Sequence, residues 1–226
     1  MPPSPSTATP PIARSLFVFA LVYGGMTVIA GVLAFKQVAL GALAVEAGIF
    51  AFLLLVVLSS AVAQLHGRRT ADRMVLWGFV PLALSVLLIF IVLRLPPSAE
   101  MPAENIAAFG TVLSSTPRIM AAGPVAYGVS LLLNVWLFDR LRGSGERDGS
   151  GWLLMLRGGI ASAISQAIDS VIFITLAFYG EFPIGDLILG QALAKIVLSF
   201  VLVPPLIVLA VRAGRWLDGA RGRPVA

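Results

Sequence analysis

The chain has 226 residues, of which 58% are apolar and only 12% are charged, and its formal net charge is +5. Its mean hydropathy of +0.96 lies far from the values of water-soluble domains, which excludes an ordinary soluble fold. The basic residues stand at the ends of apolar blocks and not on one helix face, so the charge does not indicate a nucleic-acid partner. The absence of cysteine excludes disulfides, thiolate metal sites and cysteine nucleophiles.

The predicted elements begin with residues 1–14, a proline-rich and Ser/Thr-rich stretch that predicts a disordered cytoplasmic tail. Residues 15–35 carry no charge and exceed the length of a signal-peptide core, so they predict a first membrane span. Further apolar blocks, each reaching the roughly 20 residues that a bilayer requires, follow at 41–64, 74–93, 119–138, 152–179 and 184–211. We therefore expect an all-α, polytopic membrane protein with six transmembrane helices in a compact bundle. The membrane domain would span residues 15–212, followed by a basic cytoplasmic tail at 213–226.

Arginine and lysine are divided unequally between the two sides of this bundle. If the N-terminus is cytoplasmic, three basic residues lie on the outer side, namely Lys36, Arg94 and Arg118. Twelve lie on the cytoplasmic side: Arg14, Arg68, Arg69, Arg73, Arg140, Arg142, Arg147, Arg157, Arg212, Arg215, Arg221 and Arg223. Because positive residues accumulate in cytoplasmic loops, this asymmetry predicts six spans with both termini in the cytoplasm.

Three charged residues fall inside predicted spans, where a charge costs at least about 2.5–3.5 kcal/mol. Asp169 lies eleven residues before Gly180, and Lys195 lies eleven residues after Ile184. Since a tight turn joins these two helices, equal distances from the turn predict that both charges lie at one depth near the middle of the bilayer. Opposite charges there would relieve each other's desolvation. The third residue, Glu46, is expected near the outer end of its helix.

Polar side chains recur on one face of each of the last three spans. The fourth span carries Ser130 and Asn134, the fifth carries Ser162, Gln166 and Asp169, and the sixth carries Gln191, Lys195 and Ser199. Facing one another, these stripes would form a midplane pocket that holds one charge of each sign. A buried ion pair can also be a plain contact between helices, but the accompanying amides favour a binding site.

Three stretches resemble the queuosine precursor transporters, formerly called vitamin-uptake-transporter-like proteins, and they cover residues 134–142, 160–173 and 191–205. A helix end similar to FxRLR stands at 138–142, a Ser-Gln-x-x-Asp motif stands at 165–169, and the sixth span carries a lysine at position 195. Arg118 also looks like a family arginine. The N-terminal half departs from the family pattern, because Ser60 and Gln64 stand where relatives often carry charges.

The resemblance implies import of 7-deazaguanine bases for queuosine modification of tRNA, across a bacterial inner membrane. The substrate-binding residues that it implies, together with the polar stripes, are Asp169, Lys195, Gln166, Gln191, Asn134, Arg118, Ser165 and Glu46. Candidate stacking partners for a flat base are Phe173, Tyr127 and Phe178. The expected partners are this small molecule and the lipid bilayer, with no nucleic acid, cofactor or metal, and self-association into a homo-oligomer stays open.

Other functions remain open at this point. The cargo could be another small heterocycle or a vitamin-like molecule, and the chain could be a substrate-binding or assembly subunit of a larger transporter. Energy coupling could use a proton on Asp169 or Glu46, metabolic trapping, or a borrowed ATPase, since the sequence has no GxxxxGK[ST] loop. A membrane-embedded enzyme is disfavoured, because the single histidine, His66, stands at a cytoplasmic boundary, where solvation is expected.

Overall fold

The structure, a computed structural model, describes residues 12–33, 36–40, 43–113, 117–142, 151–180 and 184–219. Within these residues the chain forms seven α-helices and one antiparallel β-hairpin. In chain order they are α1 (Arg14–Leu33), β1 (Gln37–Leu40), β2 (Leu43–Glu46), α2 (Gly48–His66), α3 (Arg68–Val92), α4 (Ala103–Leu113), α5 (Pro117–Arg142), α6 (Gly151–Phe178) and α7 (Gly185–Gly219). Six of these helices, all except α4, are long and apolar enough to cross a membrane, which confirms the predicted six-span helical bundle.

The segment between α1 and α2 differs from the prediction. The second span is predicted to start at residue 41, but α2 begins at Gly48, and β2 pairs with β1 before it. In this hairpin Val38 lies opposite Val45, and Gln37 lies opposite Glu46. Glu46 therefore belongs to a strand, and its predicted position inside a helix is wrong. Hydropathy alone does not separate a short, largely apolar strand from the first turns of a helix.

Other helix boundaries extend beyond the apolar blocks. Helix α1 includes Arg14, α3 begins at Arg68 and not at residue 74, and α7 continues to Gly219 into the predicted tail. A helix can continue past the end of its apolar stretch, since its backbone stays hydrogen-bonded and long basic side chains can extend toward water. The helix α4 was not predicted. The predicted tails fall largely on residues 1–11 and 220–226, which lie outside the described residues.

The start of α1 and the end of α7 lie on the same face of the bundle. The backbone N–H of Ser15, at the start of α1, donates to Oδ1 of Asp218, at the end of α7, over 3.0 Å. We call this face the terminal face. The opposite face, where α1 ends and α2 begins, carries the hairpin and α4, and we call it the mouth face.

Helix α2 forms the centre of the bundle. It packs against α1, α3, α5 and α7, and most of its residues are buried. The outer helices α1 and α3 expose most of their apolar side chains, and α1 buries only one face, at positions four residues apart: Ser15, Phe19, Tyr23 and Thr27. Large apolar side chains on an outer surface of this extent fit a lipid environment. Helices α5, α6 and α7 pack in sequence beside α2.

Candidate functional site

The predicted ion pair is formed between α6 and α7. Lys195 Nζ lies 2.6 Å from Asp169 Oδ2, and both side chains are more than nine-tenths buried. The other carboxylate oxygen, Oδ1, accepts a hydrogen bond of 3.2 Å from Ser130 Oγ on α5. The ammonium group also lies 5.8 Å from the centre of the Phe52 ring, within cation–π range. The prediction that these two charges meet at one depth is confirmed.

This ion pair lies at the end of a cavity of about 230 Å³. Its walls are mainly apolar and come from α1, α2, α3, α5, α6 and α7, with Val112 and Leu113 of α4 at one edge. The polar residues that line it are Thr27, Ser85, Tyr127, Asp169, Gln191 and Lys195. An apolar cavity with a few convergent polar groups is typical of a small-molecule site, and this one is smaller than the usual range of about 300–1,000 Å³. Its size therefore suits a small ligand.

The cavity occupies only the half of the bundle near the mouth face. Its lining residues come from the later halves of α1, α3 and α6 and from the earlier halves of α2, α5 and α7. Because neighbouring spans run antiparallel, all these halves lie on the same side. Asp169 is nine residues from the mouth-side end of α6, which places it about 14 Å inside at 1.5 Å per residue. The cavity thus lies on the mouth side of the bundle, with the ion pair at its inner end.

Aromatic side chains form one wall of the cavity. Tyr127 packs edge-on against Phe52, with ring centroids 5.1 Å apart, and against Phe79, with centroids 5.8 Å apart. Tyr127, Phe52 and Phe173 all line the cavity. Two of the three aromatic residues singled out in the sequence are therefore at the site, and the side chain of the third, Phe178, lies outside the described part. Phe52 was missed, since nothing distinguishes it within the apolar run of α2.

The structure divides the predicted binding residues into two groups. Asp169, Lys195 and Gln191 line the cavity, whereas Gln166, Asn134 and Ser165 do not. Glu46 and Arg118 belong to β2 and to the start of α5, both toward the mouth face, but their side chains lie outside the described part.

The group away from the cavity lies deeper in the bundle and is completely buried. Asn134 Nδ2 donates to Ser60 Oγ over 3.0 Å, which links α5 to α2. Asn134 Oδ1 lies 3.4 Å from Ser165 Oγ on α6, whose hydroxyl is closer, at 2.9 Å, to the Ala161 carbonyl of its own helix. Among the described residues, Gln166 has no hydrogen-bond partner for either amide atom. Leaving a buried polar group unpaired costs about 1–3 kcal/mol, so packing alone does not explain a glutamine at position 166.

A serine, a histidine and an aspartate meet at the terminal face, an arrangement that invites comparison with a hydrolase. Ser15 Oγ lies 2.7 Å from His66 Nε2, and the same hydroxyl donates to Asp218 Oδ2 over 2.7 Å. In a catalytic triad the carboxylate instead orients the second ring nitrogen of the histidine, and the serine hydroxyl is left to attack. Here the hydroxyl is held by the carboxylate, so we interpret the trio as a contact that joins the ends of α1, α2 and α7. His66 is thus hydrogen-bonded, whereas the sequence led us to expect a solvated side chain.

Metal binding finds no support in the described ranges, where no three His, Cys, Asp or Glu side chains come together in a way that could hold an ion. Among the described residues that line the cavity, the charged groups are the Asp169 carboxylate and the Lys195 ammonium, which already neutralise each other. The arrangement is suited to hydrogen bonding with a small polar ligand between aromatic walls.

Comparison with known proteins places the chain in a family. Residues 46–209, which include α2 to α6 and most of α7, match the profile of the family described as "putative vitamin uptake transporter". A relative described as "probable queuosine precursor transporter", from Bacillus subtilis (strain 168), is 27% identical over 142 residues, which cover 62% of this chain and 60% of the relative. No solved structure matches the chain. Since the profile covers well over half of the sequence and nearly all of the helices that build the cavity, this chain belongs to the vitamin uptake transporter family.

Proposed function

We propose that this protein imports a 7-deazaguanine precursor of queuosine, chiefly 7-cyano-7-deazaguanine or its 7-aminomethyl counterpart, across the inner membrane of a bacterium. The observation that carries the proposal is the cavity, in which a carboxylate, an ammonium group and an amide converge beside aromatic walls. The relative whose description names queuosine precursors supports the class of cargo. A transporter also agrees better with both descriptions than an enzyme does.

The chemistry of such a base is complementary to the cavity. A deazaguanine carries N–H donors along one edge and a carbonyl acceptor beside them. Asp169 accepts hydrogen bonds, Lys195 donates them, and Gln191 does both. The faces of the ring would lie against Tyr127, Phe52 or Phe173, which supply a large apolar contact. The small volume of about 230 Å³ favours a free base over a nucleoside or a larger vitamin.

Ligand binding is the first test of the cargo. We expect 7-cyano-7-deazaguanine, but not guanine, to raise the melting temperature of the purified protein, because a ligand that binds only the native state stabilises it by about 2.7 kcal/mol at a hundred times its Kd. Another small heterocycle that stabilises the protein while the deazaguanines do not would replace the proposed cargo. A complete lack of response to such ligands would favour an assembly subunit.

Uptake is the second part of the same test. In cells that neither make queuosine precursors nor contain their own carrier, expression of the protein should restore tRNA modification when dilute 7-cyano-7-deazaguanine is supplied. The variant Gln191→Ala, which alters the cavity lining, should weaken this rescue. Ser170→Ala should not, because Ser170 is buried but bonds the Gln166 carbonyl of its own helix and does not line the cavity. If neither the unaltered protein nor the Ser170→Ala variant restores tRNA modification at normal expression, the proposed import is contradicted.

Membrane orientation is tested separately. The contact between Ser15 and Asp218 joins the start of α1 to the end of α7, and the excess of arginine on this face supports a cytoplasmic location for it. A reporter that is active only in the cytoplasm should work when it is fused after Ala226, and one that is active only in the periplasm should work when it is inserted in the loop between α3 and α4. The opposite pattern would contradict the predicted orientation and would mean that the cavity of this structure lies toward the cytoplasm.

A further inference from the structure

A second set of polar side chains continues inward from the floor of the cavity. These residues are completely buried, none of them lines the cavity, and we call them the buried polar band: Ser60, Asn134, Ser162, Ser165, Gln166 and Ser199. On α6 the band reaches Ser162, seven residues or about 10 Å from Asp169 toward the terminal face. On α7 it reaches Ser199, one turn beyond Lys195 in the same direction. The band therefore begins where the cavity ends.

Three members of the band have polar atoms without a hydrogen-bond partner in the described structure. They are Ser162 Oγ, Ser199 Oγ and both amide atoms of Gln166. Serines elsewhere in these helices behave differently, since Ser59 Oγ donates to the Val56 carbonyl and Ser170 Oγ donates to the Gln166 carbonyl of their own helices. An apolar side chain in the place of Ser162 or Ser199 would avoid the loss of solvation. The unpaired groups are thus arranged for a partner that the closed bundle does not supply.

An apolar seal separates the band from the terminal face. Phe138 on α5 and Ile207 on α7 are both completely buried and meet over Gly158 on α6. A Cβ atom on Gly158 would overlap Ile207 Cδ1, so the helices are in close contact at this level. From the terminal face toward the mouth face, the order is therefore the apolar seal, then the buried polar band, then the cavity.

We propose that the buried polar band is the inner half of the translocation path, closed in this structure, and that it becomes hydrated and contacts the cargo when the terminal side opens. This inference rests on the proposed transport function but not on the identity of the cargo. The band supplies hydroxyl and amide groups, which bind a neutral polar heterocycle by hydrogen bonds without trapping it by charge. Ser162, Gln166 and Ser199 are then path residues whose partners appear in the second state.

The absence of cysteine from the sequence allows a direct test by thiol labelling. Single variants Ser60→Cys and Ser162→Cys place a thiol in the band. Ser59→Cys and Ser170→Cys are matched controls, because those serines are equally buried but bond only their own helices. Each variant is reconstituted in liposomes and treated with a charged, impermeant methanethiosulfonate from the terminal side, with and without 7-cyano-7-deazaguanine. Its melting temperature is measured first to establish that it is folded.

Thiols at positions 60 and 162 should react faster than those at 59 and 170 even without cargo, because the open state is sampled at rest. A shift of that state from about one tenth to about half of the molecules gives a roughly fivefold rise in labelling on adding cargo. Equal rates at all four positions in folded protein, with and without cargo, would overturn the proposal. Faster labelling of the band without any response to the deazaguanine would support the path and count against the proposed cargo, so the two failures are distinguishable.

Discussion

The polar groups at the cavity and those on the terminal side of it differ in whether they have partners. In the mouth half, Asp169 and Lys195 pair at 2.6 Å and line the cavity. On the terminal side of this ion pair, Ser162, Ser199 and Gln166 are completely buried and have side-chain polar atoms without a hydrogen-bond partner within the described residues. A protein that needed only stability would have no reason for the second arrangement. The difference is the one expected when a path holds a binding cavity toward one end and is closed toward the other.

The largest expected effect comes from breaking the ion pair at the boundary between the halves. Asp169→Asn or Lys195→Gln alone leaves an uncompensated buried charge, which should destabilise the protein by about 3–5 kcal/mol and abolish uptake. Melting temperature, expression and uptake of labelled cargo are the measurements. The single variants test the cost of the unpaired charge and do not by themselves show that the pair contacts cargo.

The double variant Asp169→Asn with Lys195→Gln separates the two roles of the pair. It removes both charges and keeps two amides that can still hydrogen-bond, so expression should recover. If the pair contacts cargo, ligand binding and uptake should stay lost, because the cavity no longer offers a carboxylate and an ammonium group. Normal uptake by a well-folded double variant would show that the pair only joins α6 to α7, and the site assignment would fall.

The ion pair also illustrates how far the sequence could predict the molecule. Equal spacing of Asp169 and Lys195 from one turn determined their contact, because helix geometry converts spacing into depth. The six spans followed from apolar length in the same way. The cavity boundary could not be predicted, since spacing places Gln166 and Asp169 on one helix face but does not tell how far into the bundle the open space extends. Which polar residues face the ligand is decided by packing between helices.

The mouth side was the least predictable region. The hairpin that contains Glu46 and the separate helix α4 both come from sequence that hydropathy either merged with a span or passed over as a loop. Phe52 lines the cavity because the first turns of α2 form part of the cavity wall. These features depend on tertiary contacts between distant segments, and no local pattern encodes them.

A smaller effect is expected from disturbing the seal in the terminal half. Gly158→Ala places a methyl group against Ile207 Cδ1, which must move. Since Cδ1 is the far end of a flexible side chain, the cost should lie at the low end of the roughly 1–3 kcal/mol usual for overpacking. The closed terminal side should be destabilised, with a lower melting temperature and faster thiol labelling at position 162. Gly190→Ala is the control on α7, since nothing lies within 4 Å of the added Cβ. An unchanged melting temperature in Gly158→Ala would mean that Ile207 moves aside freely and that this contact does not seal the path.

The smallest expected effect concerns the contact at the terminal face itself. Ser15→Ala removes the hydroxyl that joins His66 and Asp218, while the 3.0 Å backbone bond from residue 15 to Asp218 can remain. The loss should be about 0.5–1.5 kcal/mol in the closed state, and less in any state in which the ends of α1 and α7 have separated. Because about 1.4 kcal/mol is tenfold in an equilibrium, labelling at positions 60 and 162 should rise severalfold with little change in cargo affinity at the mouth side. Thr111→Ala is the control, since that exposed hydroxyl bonds only the Ala107 carbonyl of α4. A lower melting temperature without faster labelling would show that the trio stabilises both states equally and takes no part in closing the terminal half.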